Sequence, residues 1–342
     1  MKNLTWQNPE QLFVAQELIN KVKSKCCGIK DNMKNLVPRI KNRLTKEWNE
    51  FLVDHFTKYV LSKYWFRDFN YHLDWNNPKD LNEKIQWLIL YSDTSEWSRL
   101  ADKVAVRDYV KEKGLAHMLV PMLGAWDDAQ KIDFDKLPNK FVLKCNHDSA
   151  SVKILDKSIG FDKSRVIEDF NNKLRVKFGY LSCEPHYNKI PAKVMAEEFL
   201  TLDGAGISST PIDYKIWCFN GEPYVVWVAY NRDNVHGHVE VEQYDLDWNY
   251  HHEWGRFTNH YRDGGGKVPC PKSFQDMLNA AKILSKGFPE VRVDFYDVAG
   301  KAYFGEMTFT SDCGRMPFFS KEFLLQMGEK VDLSLAPLKS NR

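Results

Sequence analysis

Arg292 and Asp294 stand two apart in VRVDFYDV, and Glu306 and Thr308 stand two apart in KAYFGEMTF. Residues two apart on an extended chain share a face. Ala299-Gly300 between the two runs is a turn signal, so a hairpin would bring all four side chains together. Two carboxylates from adjacent strands, with an arginine beside them, make a hard oxygen site suited to Mg²⁺ that still needs phosphate oxygens to complete it. Such an arginine can also stabilise charge on a transferring phosphoryl group. Taken alone, the same hairpin reads first as a cross-strand salt bridge on a solvated sheet face.

Three lysines precede it. Lys144 closes the apolar run FVLKC and is followed by Asn146, His147, Asp148, Ser149, Ala150 and Ser151. Small polar residues of this kind can cradle phosphate oxygens through hydroxyls and backbone N–H groups, and they also favour plain hairpin turns. Lys215 lies on the first strand of DYKIWCFNGEPYVVWVAYNRD, whose Asn220-Gly221 is a strong hairpin signal. Lys103 follows Asp102 in SRLADKVAVRDYVKEKG, which reads as one helical segment ending at Gly114; an Asp-Lys pair on a helix is by itself a surface ion pair.

The elements that must position these residues follow from periodicity. Leu36 to Val60 repeats apolar residues every three or four positions, predicting one or two amphipathic helices over 37–63. Asp80 and Glu83 have capping-box spacing ahead of the helix LNEKIQWLILY. HMLVPMLGAW is strand-like, FVLKCNHDSASVKIL reads as strand, polar turn, strand, and KVMAEEFL as a strand. Helices are expected over 162–178 and from Phe274 to Phe288. Residues 230–270, rich in His, Trp and Tyr with little periodicity, read as a long loop region bordering a cleft.

The chain has 342 residues, 43% hydrophobic and 14% aromatic, enough for a large core in two or three lobes. Its net charge of +2 is too balanced for wholesale nucleic-acid binding. Residues 1–48 are the exception, with ten basic side chains against four acidic. That excess suits a solvated helical face, or peripheral association with an acidic glycan or the inner face of a membrane. The start, MKNLTWQNPEQLF, lacks the apolar core of a secretory signal, so the expected location is cytoplasmic. Seven cysteines, odd in number and without CxxC spacing, point to reduced packing residues.

In chain order, LNEKIQW, LADKVAVRDYV, LPNKFVLKCNH, DYKIWCFNG and RVDFY with FGEMTFT resemble the ATP-grasp superfamily, and most closely its TupA-like branch, named for a teichuronopeptide biosynthesis protein. The resemblance covers roughly residues 60–320. It implies an α+β ATP-grasp fold, two α+β lobes clasping ATP, preceded by an N-terminal helical region. The implied organisation is 1–95 helical, 96–200 first lobe and 201–335 second lobe. By resemblance, Lys103 and Lys144 match phosphate-contacting lysines, and Asn146 to Ser151, with Ser149 between them, match the loop that closes over the phosphates. Glu197, Glu198, Phe199 and Leu200 match the hinge that holds adenine, and Asp203 a ribose contact. Lys215 matches a further phosphate-side lysine, Asp294 and Glu306 the Mg²⁺ ligands with Thr308 where relatives often carry Asn, and Arg292 the arginine at the transferring phosphate. Asp148 and Ala150 replace the glycines usual in that loop, and SDCGR keeps only Gly314 of another.

The implied activity is ATP-dependent carboxylate–amine ligation through an acylphosphate. The implied substrates are a sugar acid of a surface polysaccharide or its precursor, and an amino acid or other amine. Arg232, His236, His238, Trp248 and Trp254 are expected at the acceptor, since aromatic faces suit sugar rings; ordinary loop packing is the competing reading. Asp245-Leu246-Asp247 keeps a second class open, because many glycosyltransferases hold a metal and a nucleotide sugar through Asp-x-Asp. A phosphotransferase acting on a glycan hydroxyl, and a catalytically silent binding module, share the ATP site.

Overall fold

The computed structural model describes residues 36–149, 151–200, 206–208, 211–233 and 235–339. Asp203 and Ala150 lie outside the described residues, as does the basic stretch before residue 36. The chain divides after Leu52 into two units. Helix α1 (Leu36–His55) supplies the described part of the first, where Trp48 and Phe51 stack at 5.5 Å.

The second unit is α+β. It begins with α2 (Thr57–Phe69), α3 (Leu81–Tyr91), α4 (Ser95–Ala101) and α5 (Val106–Glu112). Asp80 caps α3 by accepting from the Glu83 N–H at 2.8 Å, as its spacing predicts. The stretch read as one helix from Ser98 to Gly114 is two. Asp102 ends α4, and its carboxylate accepts from the Val104 N–H at 2.8 Å while its carbonyl accepts from Val106. Lys103 therefore stands on a turn between α4 and α5, not on a helical face. A side chain that bonds its own local backbone competes with the helix, and here it wins.

The first sheet holds β1 (Met122–Trp126), β2 (Lys140–Cys145), β3 (Lys153–Asp156) and β4 (Val194–Glu198), in the antiparallel order β1-β4-β2-β3. The apolar run before β1 is strand only from Met122; Ala116–Met118 is a 3₁₀ turn. Phe141, Leu143 and Cys145 of β2 and Val194 and Ala196 of β4 pack with Val166 and Phe170 of α6 (Lys163–Leu174). Alternation then puts Lys144 and Glu197 on the opposite face. A short turn of helix, α7 (Gly179–Ser182), leads to a 3₁₀ turn carrying His186. His186 is buried against Trp97 and Tyr187 with neither ring nitrogen partnered, and burial lowers its pKa from 6.5 to about 3.

That burial predicts acid lability. Between pH 6.5 and about 3 the unfolded chain binds a proton at this residue that the folded chain refuses, so stability falls as pH drops through this window. His186→Phe is expected to flatten the decline by about 4 kcal/mol at the acid end, read by urea unfolding across that range.

The second sheet runs β10-β9-β5-β6-β7-β8 and comprises β5 (Asp213–Phe219), β6 (Glu222–Asp233), β7 (His238–Tyr244), β8 (Tyr261–Asp263), β9 (Glu290–Val298) and β10 (Lys301–Thr308). Residues 230–270 are thus not one long loop: β6 runs on to Asp233, and β7 and β8 pair in parallel through Val239 and Tyr261. Alternating strands with few aliphatics hide their period among polar and aromatic side chains. Helix α8 (Phe274–Ser285) packs on β9, β5 and β6, and α9 (Lys321–Lys330) packs on α3. Val291, Val293 and Phe295 are fully buried toward one face, which leaves Arg292, Asp294 and Tyr296 on the other.

β10 changes phase. Phe304 pairs with Phe295, but Glu306 pairs with Asp294, so Gly305 is an extra residue in a bulge. Without it Glu306 would share the core face of Ala302 and Phe304. A Cβ on Gly305 would lie 3.1 Å from the Asp294 carbonyl oxygen and 3.3 Å from the Tyr296 ring. Gly305→Val is expected to lower stability by about 1–3 kcal/mol in urea unfolding and to weaken the site, because the bulge must give way.

Candidate functional site

One face of the second sheet carries a charged row. Glu306 of β10 pairs with Asp294 of β9, and Asp294 with Lys215 of β5. In the next row Thr308 pairs with Arg292, and Arg292 with Trp217. Arg292 binds Asp294 in bidentate fashion, Nε to Oδ1 at 2.6 Å and Nη2 to Oδ2 at 2.8 Å. Its Nη2 also lies 3.1 Å from Glu306 Oε1 and 3.0 Å from Thr308 Oγ1, and its Nη1 donates to Ser311 Oγ at 3.1 Å. Lys215 Nζ donates to the second Asp294 oxygen. The solvated-face reading of the hairpin does not hold, since Asp294 is 2% exposed.

The first sheet and the Lys103 turn close on this row. Lys103 Nζ lies 3.4 Å from Glu306 Oε2 and donates to the Asp148 carbonyl at 2.6 Å. Burial alone would raise the Glu306 pKa, but Lys103, Arg292, Lys215 and Lys144 together hold it well below the usual carboxylate range. Asp213, one register step along β5, is likewise lowered: Lys215 and Arg232 outweigh its burial, and Arg232 pairs with it directly. The Tyr296 phenol is pushed up by Asp213, by burial and by Glu306.

Lys144 projects from β2 to Glu197 Oε2 at 2.6 Å, while Arg107 of α5 takes Oε1 at 3.3 Å and donates to the Val120 carbonyl at 2.7 Å. Glu198 is exposed at the end of β4, and Phe199 and Leu200 follow it half-buried, the Phe199 ring under Lys140 Nζ at 4.0 Å. In the loop after Lys144, Ser149 is exposed. The side chains beside it are taken up inside the fold. Asn146 donates to Asp102 at 2.8 Å and to the Pro191 carbonyl at 3.0 Å, and accepts from the Lys193 N–H at 2.7 Å. Ser151 accepts from the Cys145 N–H at 2.7 Å and donates to Asp148 at 2.5 Å. Asp148 thus turns its carboxylate back into its own loop.

Several of these residues escaped sequence reasoning. Asp213 and Tyr296 stand two residues from Lys215 and Asp294 on the same strands, so period-two reading could have found them. Arg107 reaches the site only through long-range folding, whereas Ser311 comes to it from just past the end of β10. Conversely, two residues expected at an acceptor are packing residues. Trp248 stacks on Tyr244 at 4.3 Å and meets Phe274 at 4.8 Å, and Trp254 lies between His251 at 3.8 Å and Phe323 at 4.2 Å. His236 is exposed and paired with Asp233, while His238 opens β7. In the Asp-x-Asp segment, Asp245 caps a turn, accepting from the N–H groups of Asp247 and Asn249 at 3.0 and 2.7 Å and from the Asn249 amide.

The sequence model of one protein family, described as TupA-like ATP-grasp, matches residues 83–332. The chain belongs to the TupA-like ATP-grasp family. The match spans both sheets and every charged residue of the row described above. No curated protein matches. Among solved structures, D-alanine–D-alanine ligase from Bacillus anthracis complexed with ATP is 14% identical, with 72% of this chain and 70% of that chain covered and a TM-score of 0.41. The D-alanine–D-alanine ligase of Helicobacter pylori is 11% identical over 75% and 69%, with a TM-score of 0.40. PsnB, an ATP-grasp ligase complexed with a phosphomimetic variant of its minimal precursor, Mg and ADP, is 11% identical over 74% and 66%, with a TM-score of 0.39.

For a TupA-like ATP-grasp protein the donor set fits magnesium. Asp294 and Glu306 are hard oxygen donors side by side in register, with the Thr308 hydroxyl next to them. Among the described residues no group of three or more His, Cys, Asp or Glu could hold a metal. Two carboxylates and a hydroxyl leave the rest of an octahedral shell to other oxygen ligands. No helix among the described residues is long and apolar enough to cross a membrane.

Proposed function

We propose that this chain is an ATP-dependent carboxylate–amine ligase. It joins a sugar acid of a surface polysaccharide, or its precursor, to an amino acid or other amine through an acylphosphate. The observation that carries the reading is the meeting of Lys103 with the Asp294–Glu306 hairpin, which gathers cations from the α4–α5 turn and the second sheet around two carboxylates. Lys103, Lys144, Lys215, Arg107, Arg232 and Arg292 face Asp213, Glu197, Asp294 and Glu306, an excess of two positive charges. A magnesium-bound nucleoside triphosphate, with about two net negative charges, offsets that excess. The organisation proposed is a helical region over 1–95, a first lobe over 96–200 and a second over 201–335. A cytoplasmic location, with the basic N-terminus toward the membrane's inner face, belongs to the same reading.

Each residue then has a task. Asp294 and Glu306, with Thr308, hold Mg²⁺, which when bound neutralises charge on the phosphate oxygens. Lys103, Lys144 and Lys215 exchange their carboxylate partners for phosphate oxygens. Arg292 steadies the transferring phosphoryl group and the oxyanion, so catalysis is positioning plus electrostatics. Glu197, Glu198, Phe199 and Leu200 border the adenine, Asp203 the ribose, and the backbone and exposed Ser149 of the 146–151 loop cover the phosphates. The turn-capping role of Asp245 leaves its carboxylate saturated and gives the glycosyltransferase reading no support.

The ligase reading is tested by incubating the protein with ATP, Mg²⁺, glycine and ¹⁸O-carboxyl-labelled hexuronic acids. Acylphosphate chemistry transfers one label into inorganic phosphate; a phosphotransferase releases none, and phosphate without label contradicts the proposal. A second expectation concerns Asp148. Asp148→Asn keeps an acceptor for Ser151 but removes a negative charge from the phosphate loop. Affinity for AMPPNP with Mg²⁺ should rise about fivefold in calorimetric titration.

A further inference from the structure

On the ligase reading, on which this inference rests, an amine that is cationic in water must reach the activated carbonyl carbon uncharged, so some group must take its proton. The charged row itself is unsuited. Four cations hold Glu306 ionised, and Lys215 and Arg292 occupy both oxygens of Asp294.

The row has two distinct ends. At one, Tyr296 stands near Asp213 and feels Glu197, the partner of Lys144, so this end faces the first sheet and the nucleotide. At the other end Arg292 donates to Ser311, and Asp312 comes next. Asp312 is exposed, and its carboxylate makes no hydrogen bond among the described residues. Its backbone lies in the left-handed region at φ 46°, followed there by Cys313 at 58° and Gly314 at 64°. Non-glycine residues held so are strained and persist only where their surroundings over-determine them. Here α3 does so: Gln86 donates to the carbonyls of Cys313 and Gly314 at 2.8 and 3.0 Å, and Asn82 makes two 3.1 Å bonds with the Met316 backbone. A Cβ on Gly314 would come within 2.6 Å of Gln86 and Ile85.

A buried polar clamp thus holds a strained loop whose unpartnered carboxylate is next in the chain to the serine that Arg292 grips. Arg315, Asp68, Arg292 and His260 act on that carboxylate electrostatically, as it does on the Tyr261 phenol, and Arg315 is itself bound to Asp68 at 2.8 Å. Although the residue is exposed at its outer edge, the loop and its neighbours desolvate the Asp312 carboxyl and raise it against the pull of Arg315 and Arg292, which makes it a better base than a free carboxylate.

We propose that Asp312 binds the acceptor amine as its ammonium and accepts its proton. The nitrogen lone pair then forms the C–N bond to the acyl carbon. The C–O bond to phosphate breaks with its electron pair, and the second nitrogen-bound proton leaves with the departing inorganic phosphate. Asp312 returns its proton to water. The acceptor class is a primary amine, cationic in solution.

The test compares wild type with Asp312→Asn, a substitution that tolerates the left-handed backbone. Each is given ATP, Mg²⁺, hexuronic acids and either glycine or hydroxylamine, which is already neutral at pH 7 and needs no base. Asp312→Asn is expected to keep hydroxamate formation within threefold while losing about a hundredfold in glycine amide formation. Its amide rate should recover as pH rises toward the pKa of the amine, whereas wild type stays flat. Equal amide rates in the two proteins, parallel loss of hydroxamate and amide, or a loss insensitive to pH each overturns the role of Asp312. No hydroxamate from wild type with any of the acids overturns the ligase reading and this inference with it.

Discussion

Replacing Asp294 by Asn is expected to lower Mg²⁺-dependent ATP turnover by at least about a thousandfold and to cost about 3–5 kcal/mol of stability, from two separable causes. Asp294 lies between Lys215 and Arg292, with one oxygen 2.6 Å from Arg292 Nε and the other shared by Arg292 Nη2 and Lys215. An amide can accept on one side only, so one buried cation loses its partner. The stability loss follows from that stranded charge; the activity loss follows from the missing metal ligand. Adding Lys215→Met removes the stranded cation, so the double variant should regain at least about 1.5 kcal/mol in urea unfolding while its turnover stays absent. Turnover that returned with stability would make the carboxylate a structural partner only.

Asn146→Ala is the second large effect. The Asn146 side chain is fully buried and joins its own loop to two others, the Asp102 turn and the 191–193 stretch that leads into β4. Removing it takes this partner from the Lys193 N–H and the Pro191 carbonyl, and leaves the buried Asp102 carboxylate with the Val104 N–H but without its amide donor. A loss of about 2–4 kcal/mol is expected in urea unfolding. The Lys103 turn, whose N–H donates to the Asn146 carbonyl at 3.2 Å, should loosen as well, with about a tenfold weaker affinity for AMPPNP. Asn146→Asp tests whether the two effects share the Asp102 contact. It retains the acceptor for Lys193 but places a carboxylate against Asp102, so affinity and stability should fall together and recover in part when Asp102→Asn is added. A stable Asn146→Ala protein with unchanged affinity would show that the pin is dispensable.

These two residues show what the sequence made legible. The Asp294 site could be read locally, because a hairpin with a two-residue turn makes faces predictable from period two, and the apolar phase change across Gly305 is visible in the letters themselves. The Asn220-Gly221 hairpin was legible for the same reason, and both its turn residues take positive φ, at 53° and 86°. The role of Asn146 was not legible, since its partners lie 44 to 47 residues away. Likewise Lys103 looked helical because the apolar period continues through it. The helix breaks there because the Asp102 carboxylate bonds its own local backbone at Val104 and is held in that place by the long-range Asn146 amide. β7 and β8 were missed because their strands are polar and aromatic, with the parallel pairing set by distant chain.

The resemblance of five ordered motifs pointed to the TupA-like ATP-grasp family, to which the chain belongs through residues 83–332. The structure adds the charge arithmetic around the hairpin, the inward turn of Asp148 and the strained carboxylate at Asp312.

The central claim is that MgATP binds between the Lys103–Lys144 side and the Asp294–Glu306 hairpin. Calorimetric titration of the full chain with AMPPNP and Mg²⁺, beside UDP-sugars and Mn²⁺, tests it most directly when repeated on Lys144→Met, Asp294→Asn and Asp245→Ala. The account predicts AMPPNP binding that weakens at least about tenfold in the first two variants and is unchanged in the third. UDP-sugar binding that requires Asp245, with no AMPPNP binding, would contradict it.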